Sequence, residues 1–150
     1  MNKAKRYIRI EQQIKDLIED IDNPLSKMAT INAVLHHKMP GFFWTGFYLL
    51  DNGELLVGPY QGTLACIRLK KDTGVCWAGI NRGQTVIVPD VEKFEGHIAC
   101  SSLSRSEIVV PVFDGDNRVA GVLDVDSREL NNFDDTDRKY LEEIVHLIYH

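Results

Sequence analysis

The stretch EIVVPVFDGDNRVAGVLDVD, Glu107–Asp126, decides the fold that we predict for this chain. Two apolar runs rich in β-branched residues, Glu107 to Phe113 and Arg118 to Asp126, flank Asp114-Gly115-Asp116-Asn117, a cluster of turn-forming residues. Runs of this length and composition are typical of buried strands, and the short polar turn favours an antiparallel pairing. The sequence therefore predicts two long strands, joined as a hairpin, within a sheet.

Further strands are predicted upstream of this hairpin. They lie at Trp44 to Asp51, Glu54 to Pro59, Ala65 to Leu69 and Thr85 to Val88. Asp51-Asn52-Gly53 is a hairpin turn signal that joins the first two of them. An irregular stretch runs from Asp90 to Ser106, which is long for a small domain, and long loops of this kind are usually lids or binding loops.

Helices are predicted at both ends of the chain. Apolar residues recur at helical spacing at Tyr7, Ile10, Ile14, Leu17, Ile18 and Ile21, and again at Tyr140, Leu141, Ile144, Val145 and Ile148. The predicted helices are about Lys5 to Asp22, Pro24 to about Met39, a short one at Gly74 to Arg82, and one after Phe133 that Asp134 or Asp135 caps. The fold class is therefore α+β: one domain over residues 1–150, with a central, mostly antiparallel sheet and the N-terminal and C-terminal helices packed on one face.

Composition and charge exclude several classes of function. The 150 residues are 44% hydrophobic and 26% charged, which is typical of one globular domain. A net charge of -5 without a block of basic residues argues against nucleic-acid binding. No apolar run approaches the ~18 residues of a membrane span, and the N-terminal segment is charged rather than signal-like. We expect a cytoplasmic protein that binds neither nucleic acid nor membrane.

Three cysteines, Cys66, Cys76 and Cys100, are candidates for redox chemistry. Structural disulfides are rare in a reducing compartment, and an odd number of cysteines points the same way. Cys100 lies in the irregular stretch three residues after His97, whose imidazolium could favour a thiolate. Two alternatives remain open: all three are buried packing residues, or they bind metal together with His97, although their spacings match no common zinc signature.

Two further clusters can line a site. Asp124 and Asp126 are two residues apart at the end of one long strand, so they share a face, and Glu107 begins the neighbouring strand at that end. They predict a cation site at the mouth of a buried sheet, with a solvated strand end as the alternative. Trp44 and Tyr48 share a face of their own strand, where either core packing or a pocket wall would explain them.

Several ordered segments together resemble the free methionine-(R)-sulfoxide reductases, which are GAF-domain enzymes. The segments are WTGFYLL at 44–50, GPYQG at 58–62, AC at 65–66, GVC at 74–76, GHIAC at 96–100, SEIVVP at 106–111 and GVLDVDS at 121–127. The resemblance runs from about Ile8 to the C-terminal helix and includes all three cysteine positions. It implies a single GAF-like domain that reduces free L-methionine (R)-sulfoxide to methionine.

The resemblance assigns a role to each thiol. Cys100 is implied as the nucleophile, Cys66 as the resolving thiol and Cys76 as an additional thiol that can take part in recycling. Attack by the Cys100 thiolate would release methionine and leave a sulfenic acid, which condenses with a second thiol to a disulfide. Exchange with a thioredoxin-like protein would then restore the enzyme. No bound organic cofactor and no metal is required.

The resemblance also implies the residues that hold the substrate. Glu107, Asp124 and Asp126 are implied as substrate-binding carboxylates, and Trp44 and Tyr48 as an aromatic wall. A sulfoxide becomes electrophilic when its oxygen accepts a proton or a hydrogen bond, and a carboxylic acid with a raised pKa can donate it. We favour Glu107 or Asp126 as this donor, while another carboxylate stays ionised for the substrate ammonium.

The chain departs from the family pattern at three positions. Asp72 and Trp77 stand where glycine is usual, and Ser101 stands where aspartate is usual. Two alternative functions therefore remain: a non-catalytic GAF module that binds a small molecule, and a thiol redox sensor that dimerises on oxidation. Whatever the function, an exposed helix pair could support a homodimer.

Overall fold

One six-stranded antiparallel sheet organises the computed structural model, which describes residues 1–97 and 100–150. The strands are β1 (Trp44–Asp51), β2 (Glu54–Gln61), β3 (Arg68–Leu69), β4 (Val86–Val88), β5 (Ser106–Phe113) and β6 (Val119–Ser127). The helices are α1 (Lys3–Ile18), α2 (Pro24–Lys38), α3 (Gly74–Arg82) and α4 (Asp135–His146). Strand order is β3-β2-β1-β6-β5-β4, so the predicted α+β class and antiparallel sheet are confirmed.

The predicted hairpin of β5 and β6 lies inside the sheet. β6 pairs with β1 on one side and with β5 on the other, and β5 also pairs with β4. Residues of the β5–β6 hairpin alternate between two buried faces of the sheet. Ile108, Val110 and Leu123 face one apolar cluster, whereas Val109 and Val122 face another. Because both faces are covered, the strands are apolar almost throughout, which is why they dominate the sequence pattern.

Helices α1, α2 and α4 cover one face of the sheet, as predicted. They contribute Tyr7, Ile10, Ile14, Ile31, Leu35, Leu141 and Ile144 to its apolar cluster. The predicted end of the first helix is wrong: α1 stops at Ile18, and Leu17 and Ile21 remain exposed. Asn23 starts α2 by accepting hydrogen bonds from the backbone N–H groups of Leu25 and Ser26, which separates the two helices.

A buried carboxylate joins the first helix to the last. Asp137 is only 1% exposed, and it accepts hydrogen bonds from the Tyr7 hydroxyl and from Lys3 Nζ, the latter at 2.7 Å. It also accepts the backbone N–H of Asp134, the residue that caps α4. A buried charge is tolerated when it is paired and hydrogen-bonded, so this network fixes how α1 and α4 pack together.

The opposite face of the sheet is covered by α3, where Gly79 permits close approach. A Cβ atom on Gly79 would lie 2.7 Å from Val109 Cγ1 on β5. The predicted strand at Ala65 to Leu69 is shorter than expected, because only Arg68 and Leu69 pair with β2, at Leu56 and Leu55. The residues before Arg68 form a loop beside α3 instead. Among the described residues, no helix is both long enough and apolar enough to cross a membrane.

We predict that Gly79→Ala lowers the free energy of unfolding by about 1 kcal/mol. Alanine gains up to about 1 kcal/mol in helix propensity, but the overpacking against Val109 costs about 1–3 kcal/mol. Urea unfolding measures the difference. Gly115→Ala is the matched control, since its Cβ would meet no heavy atom within 4 Å. A Gly79→Ala protein as stable as wild type would show that α3 can move off the sheet at no cost.

Candidate active site

A small cavity lies between α3, the sheet and the two loops that carry Cys66 and Cys100. Its volume is about 50 Å³. It is lined by polar and reactive groups as well as apolar ones: Trp44, Tyr48, Thr63, Leu64, Ala65, Leu69, Thr73, Gly74, Val75, Cys76, His97, Cys100, Ser101, Ser104, Glu107, Asp124 and Asp126. The predicted carboxylates, the aromatic pair and two of the three cysteines therefore meet at one place.

Strand register brings the three carboxylates together. Glu107 on β5 lies directly opposite Asp126 on β6, and Asp126 lies opposite Trp44 on β1. Asp124 lies two residues before Asp126 on β6, so its side chain points to the same face of the sheet. Glu107 and Asp124 are each only 5% exposed, so the alternative of a solvated strand end is wrong. One oxygen of Asp124, Oδ1, is buried without a hydrogen-bond partner among the described residues, and Asp124 lines the cavity, where a ligand could supply a donor.

Two of the three thiols are joined. Cys66 and Cys100 form a disulfide, with their Cα atoms 5.5 Å apart. Cys100 is exposed and Cys66 is half-buried, so packing alone does not explain them. The alternative metal set of three cysteines with His97 is not assembled in this state, because these two sulfur atoms bond to each other. Ile98 and Ala99, in the motif before Cys100, lie outside the described residues.

The aromatic wall also holds the Cys66 loop. Trp44 and Tyr48 stack with ring centroids 5.8 Å apart. Trp44 Nε1 donates a hydrogen bond to the backbone carbonyl of Thr63 at 3.0 Å, and the Tyr48 hydroxyl donates one to the carbonyl of Cys66 at 2.9 Å. The two rings therefore line the cavity and fix the backbone on which Cys66 sits. Sequence patterns indicated the shared face but gave no sign of these backbone contacts.

Burial dominates the electrostatics of the carboxylates. It raises the pKa of Glu107 and of Asp126 well above the ordinary range, and the neighbouring carboxylate charges add to this effect. Burial also raises the pKa of Asp124, but Glu107 and Cys76 oppose this rise because each can donate a hydrogen bond to Asp124. Asp124 is thus the carboxylate that ionises most readily, whereas burial favours the protonated forms of Glu107 and Asp126.

Cys76 is a buried thiol at the floor of the cavity. It lies in the first turn of α3 and is 5% exposed. Burial raises the pKa of the Cys76 thiol well above its ordinary value, and the charge of Asp124 raises it further. Its sulfur and oxygens of Glu107 and Asp124 all lie within 4.8 Å of one another. Cys76 is therefore a neutral hydrogen-bond donor rather than a nucleophilic thiolate.

His97 faces the carboxylates, and its surroundings favour the neutral imidazole over the imidazolium. Its Nε2 lies 3.9 Å from Glu107 Oε1, and burial lowers the pKa of the imidazole. The expectation that a charged His97 promotes the Cys100 thiolate is therefore not supported by this geometry. The neutral ring instead closes one side of the cavity.

The three departures from the family pattern are accommodated by the local structure. Asp72 adopts a φ of 58°, in the left-handed region that glycine enters most easily, which explains the usual glycine at this position. Trp77 is buried and donates its indole N–H to the carbonyl of Leu69 at 3.2 Å. The Ser101 hydroxyl accepts the backbone N–H of Leu103. None of the three displaces Cys76 or Cys100 from the cavity wall.

The start of α3 was missed as part of the site. Thr73, Gly74 and Val75 line the cavity, and the Thr73 side chain makes no capping hydrogen bond. The first N–H groups of a helix lack partners within the helix and attract anions. The only signal in the sequence is Gly74 at the first helical position, which leaves this backbone open to a ligand.

We predict that Glu107→Gln reduces the pH dependence of stability. The pKa of Glu107 is raised in the folded state above its ordinary 4.5. Its contribution to stability is therefore complete below about pH 4.5 and is lost as pH rises through the folded pKa. Oxidised wild type should lose stability as pH rises above about 4.5 and through the folded pKa of Glu107, and the variant should lose less.

Urea unfolding across this pH range measures the effect, with the exposed Glu95→Gln as control. Parallel stability curves for wild type and Glu107→Gln would contradict a raised pKa for Glu107.

Comparison with known proteins places this cavity in a family. A GAF domain model matches residues 30–149. GAF domain-containing protein A of Dictyostelium discoideum is 47% identical, over 98% of this chain and 92% of its own. Free methionine-R-sulfoxide reductase of Escherichia coli is 37% identical, over 97% of this chain and 87% of its own.

A solved structure gives the same result in three dimensions. The X-ray structure of free methionine-R-sulfoxide reductase from Neisseria meningitidis in complex with its substrate superposes with a TM-score of 0.93 at 45% identity, covering 99% of this chain and 89% of that one. Similarity of sequence and of fold thus extends over nearly the whole chain, which belongs to the GAF domain family and, within it, to the group of the free methionine-R-sulfoxide reductases.

Proposed function

We propose that this protein reduces free L-methionine (R)-sulfoxide to methionine with cysteine thiols that a thioredoxin-like protein regenerates. The observation that carries the proposal is the Cys66–Cys100 pair at the edge of a buried acidic cavity with an aromatic wall. The relatives named as free methionine-R-sulfoxide reductases support the same substrate. The activity needs no bound organic cofactor or metal.

The cavity offers a complementary group for each end of the substrate. The ammonium pairs with ionised Asp124, whose Oδ1 accepts no hydrogen bond from residues 1–97 or 100–150. The carboxylate lies at the uncapped start of α3. Trp44 packs on the methyl group, a sulfur–aromatic contact that contributes about 0.3–1.5 kcal/mol. The charged contacts therefore dominate affinity, and the ring serves mainly to orient the reacting sulfur.

Glu107 and Asp126 supply the acid. Burial raises the pKa of both groups and favours their protonated forms, which can donate a hydrogen bond to the sulfoxide oxygen. This withdraws electrons from the sulfur and makes it open to attack by the Cys100 thiolate. Oxygen passes to Cys100 as a sulfenic acid, methionine leaves, and the donor loses its proton to the products.

Formation of the disulfide closes the cycle. The Cys66 thiol attacks the sulfenic sulfur, water leaves, and the Cys66–Cys100 bond forms. Their Cα separation of 5.5 Å suits this bond. In the resulting state the bond joins the loops that carry Cys66 and Cys100, and reduction frees them from each other for the next cycle.

We predict that the protein reduces free methionine (R)-sulfoxide with thioredoxin as reductant. In an assay coupled to thioredoxin reductase, this turnover appears as consumption of NADPH. The (S) epimer, peptide-bound sulfoxide and N-acetylmethionine sulfoxide should be turned over at least about tenfold less efficiently, because the last two lack the ammonium that Asp124 binds. Dithiothreitol replaces the protein reductants in a parallel assay. Tight binding of the free sulfoxide without turnover by either reductant would instead favour the GAF binding module.

We predict that the three cysteines differ in what their loss does to turnover. Cys100→Ser abolishes it, because no nucleophile remains. Cys66→Ser permits formation of methionine up to one equivalent but stops cycling with thioredoxin, since the disulfide cannot form. Cys76→Ser keeps part of the activity, and Cys76→Ala keeps less, since a serine hydroxyl can still donate to Asp124. Quantification of methionine separates these outcomes, and complete loss in Cys76→Ser would give Cys76 a redox role instead.

A further inference from the structure

Large apolar side chains are exposed beside the disulfide, as others are along α1 and at the start of α2. Leu64 is 82% exposed and Ile67 is 72% exposed, the highest values among the large apolar side chains of the described residues, and both flank Cys66. Leu103, 46% exposed, lies three residues after Cys100. The Cys66–Cys100 bond joins the two loops that carry these three side chains, and we name Leu64, Ile67 and Leu103 the disulfide rim.

The backbone under the rim is held firmly. The hydrogen bonds from Trp44 and Tyr48 to the carbonyls of Thr63 and Cys66 fix the first loop from below. Val57 donates its backbone N–H to the Ile67 carbonyl at 2.8 Å. A fixed backbone keeps Leu64 and Ile67 in solvent, where apolar area has an unfavourable free energy that a partner surface can remove.

The rim also differs in charge from the rest of the chain. Residues 62–71 contain Arg68, Lys70 and Lys71, and residues 100–105 contain Arg105, with no acidic residue in either segment. The whole chain carries a net charge of -5. Glu54 offsets one of the cations, since its carboxylate lies 3.4 Å from Arg68 Nε. Asp72 and the exposed Glu95 lie just beyond these segments, so the flanks of the rim carry a small excess of basic residues on an acidic protein, which favours approach of an acidic partner.

We propose that the disulfide rim is the docking surface for the reductant, a dithiol protein of the thioredoxin class with an apolar face bordered by acidic groups. The proposal rests on the proposed function only in that the Cys66–Cys100 bond is the one reduced in each cycle. The apolar side chains position the partner's thiolate over the disulfide, and the basic flanks orient its approach.

The exchange is balanced in two steps. The partner's thiolate attacks one sulfur of the Cys66–Cys100 bond, which breaks as a mixed disulfide forms and the other cysteine leaves as a thiolate. The partner's second thiol then loses its proton and attacks the mixed disulfide. The partner ends as a disulfide, and both cysteines of this chain end reduced, after transfer of two electrons.

The test is the reduction rate of the oxidised protein without any sulfoxide, so it does not depend on the substrate. The second-order rate constants with reduced thioredoxin and with dithiothreitol are measured by thiol alkylation and mass spectrometry. Ile67→Ser and Leu103→Ser each remove apolar area outside the cavity lining. Each should lower the rate constant for reduction by thioredoxin about fivefold or more. Their rates with dithiothreitol should match wild type. Added salt should slow the reduction by thioredoxin but not the reduction by dithiothreitol.

Ile8→Ser is the matched control, since Ile8 is 54% exposed on α1, across the sheet from the disulfide. Unchanged thioredoxin rates in both rim variants would overturn the proposal, as would an equal loss with both reductants, which would place the effect in the disulfide itself. Failure of the proposed function is separate: it would appear as normal reduction by thioredoxin in a protein that does not reduce free methionine sulfoxide.

Discussion

Three carboxyl groups share one buried cavity, and they cannot all be charged. Removing an ionised carboxylate from water costs several kcal/mol unless it is paired, and each additional negative charge raises that cost. The strand register nevertheless places Glu107 opposite Asp126 and puts Asp124 on the same face. The protein resolves the conflict because burial favours the protonated forms of Glu107 and Asp126, while Glu107 and Cys76 can donate hydrogen bonds to Asp124. A site with one anion and two acids follows from this constraint.

The sheet separates stability from chemistry. On the face covered by α1, α2 and α4 the side chains are packed hydrocarbon, tied at the edge by the Asp137 network. On the other face a single helix, α3, leaves room for polar groups. Alternate residues of the same two strands serve the two faces, so Ile108 and Val125 stabilise the backbone that presents Glu107, Asp124 and Asp126.

Sequence predicted the parts that depend on periodicity and local turn chemistry. Strand alternation indicated that Asp124 and Asp126 share a face, and the antiparallel hairpin brought Glu107 to the same end. What the sequence could not predict depends on contacts between distant residues. The hydrogen bonds from Trp44 and Tyr48 reach backbone carbonyls, which have no sequence signature. The third strand was predicted too long because the loop before Arg68 is held by these bonds rather than by strand pairing.

The placement of the terminal helices has a consequence for how this fold can be combined with other proteins. Both α1 and α4 pack on the side of the sheet opposite the cavity, and Lys3 and Asp137 hold them together. A fusion partner attached at either terminus would extend from that side and leave the cavity mouth unobstructed. The same arrangement suits a domain that is inserted into longer polypeptides, because its two connections emerge from one surface and its ligand enters from the other.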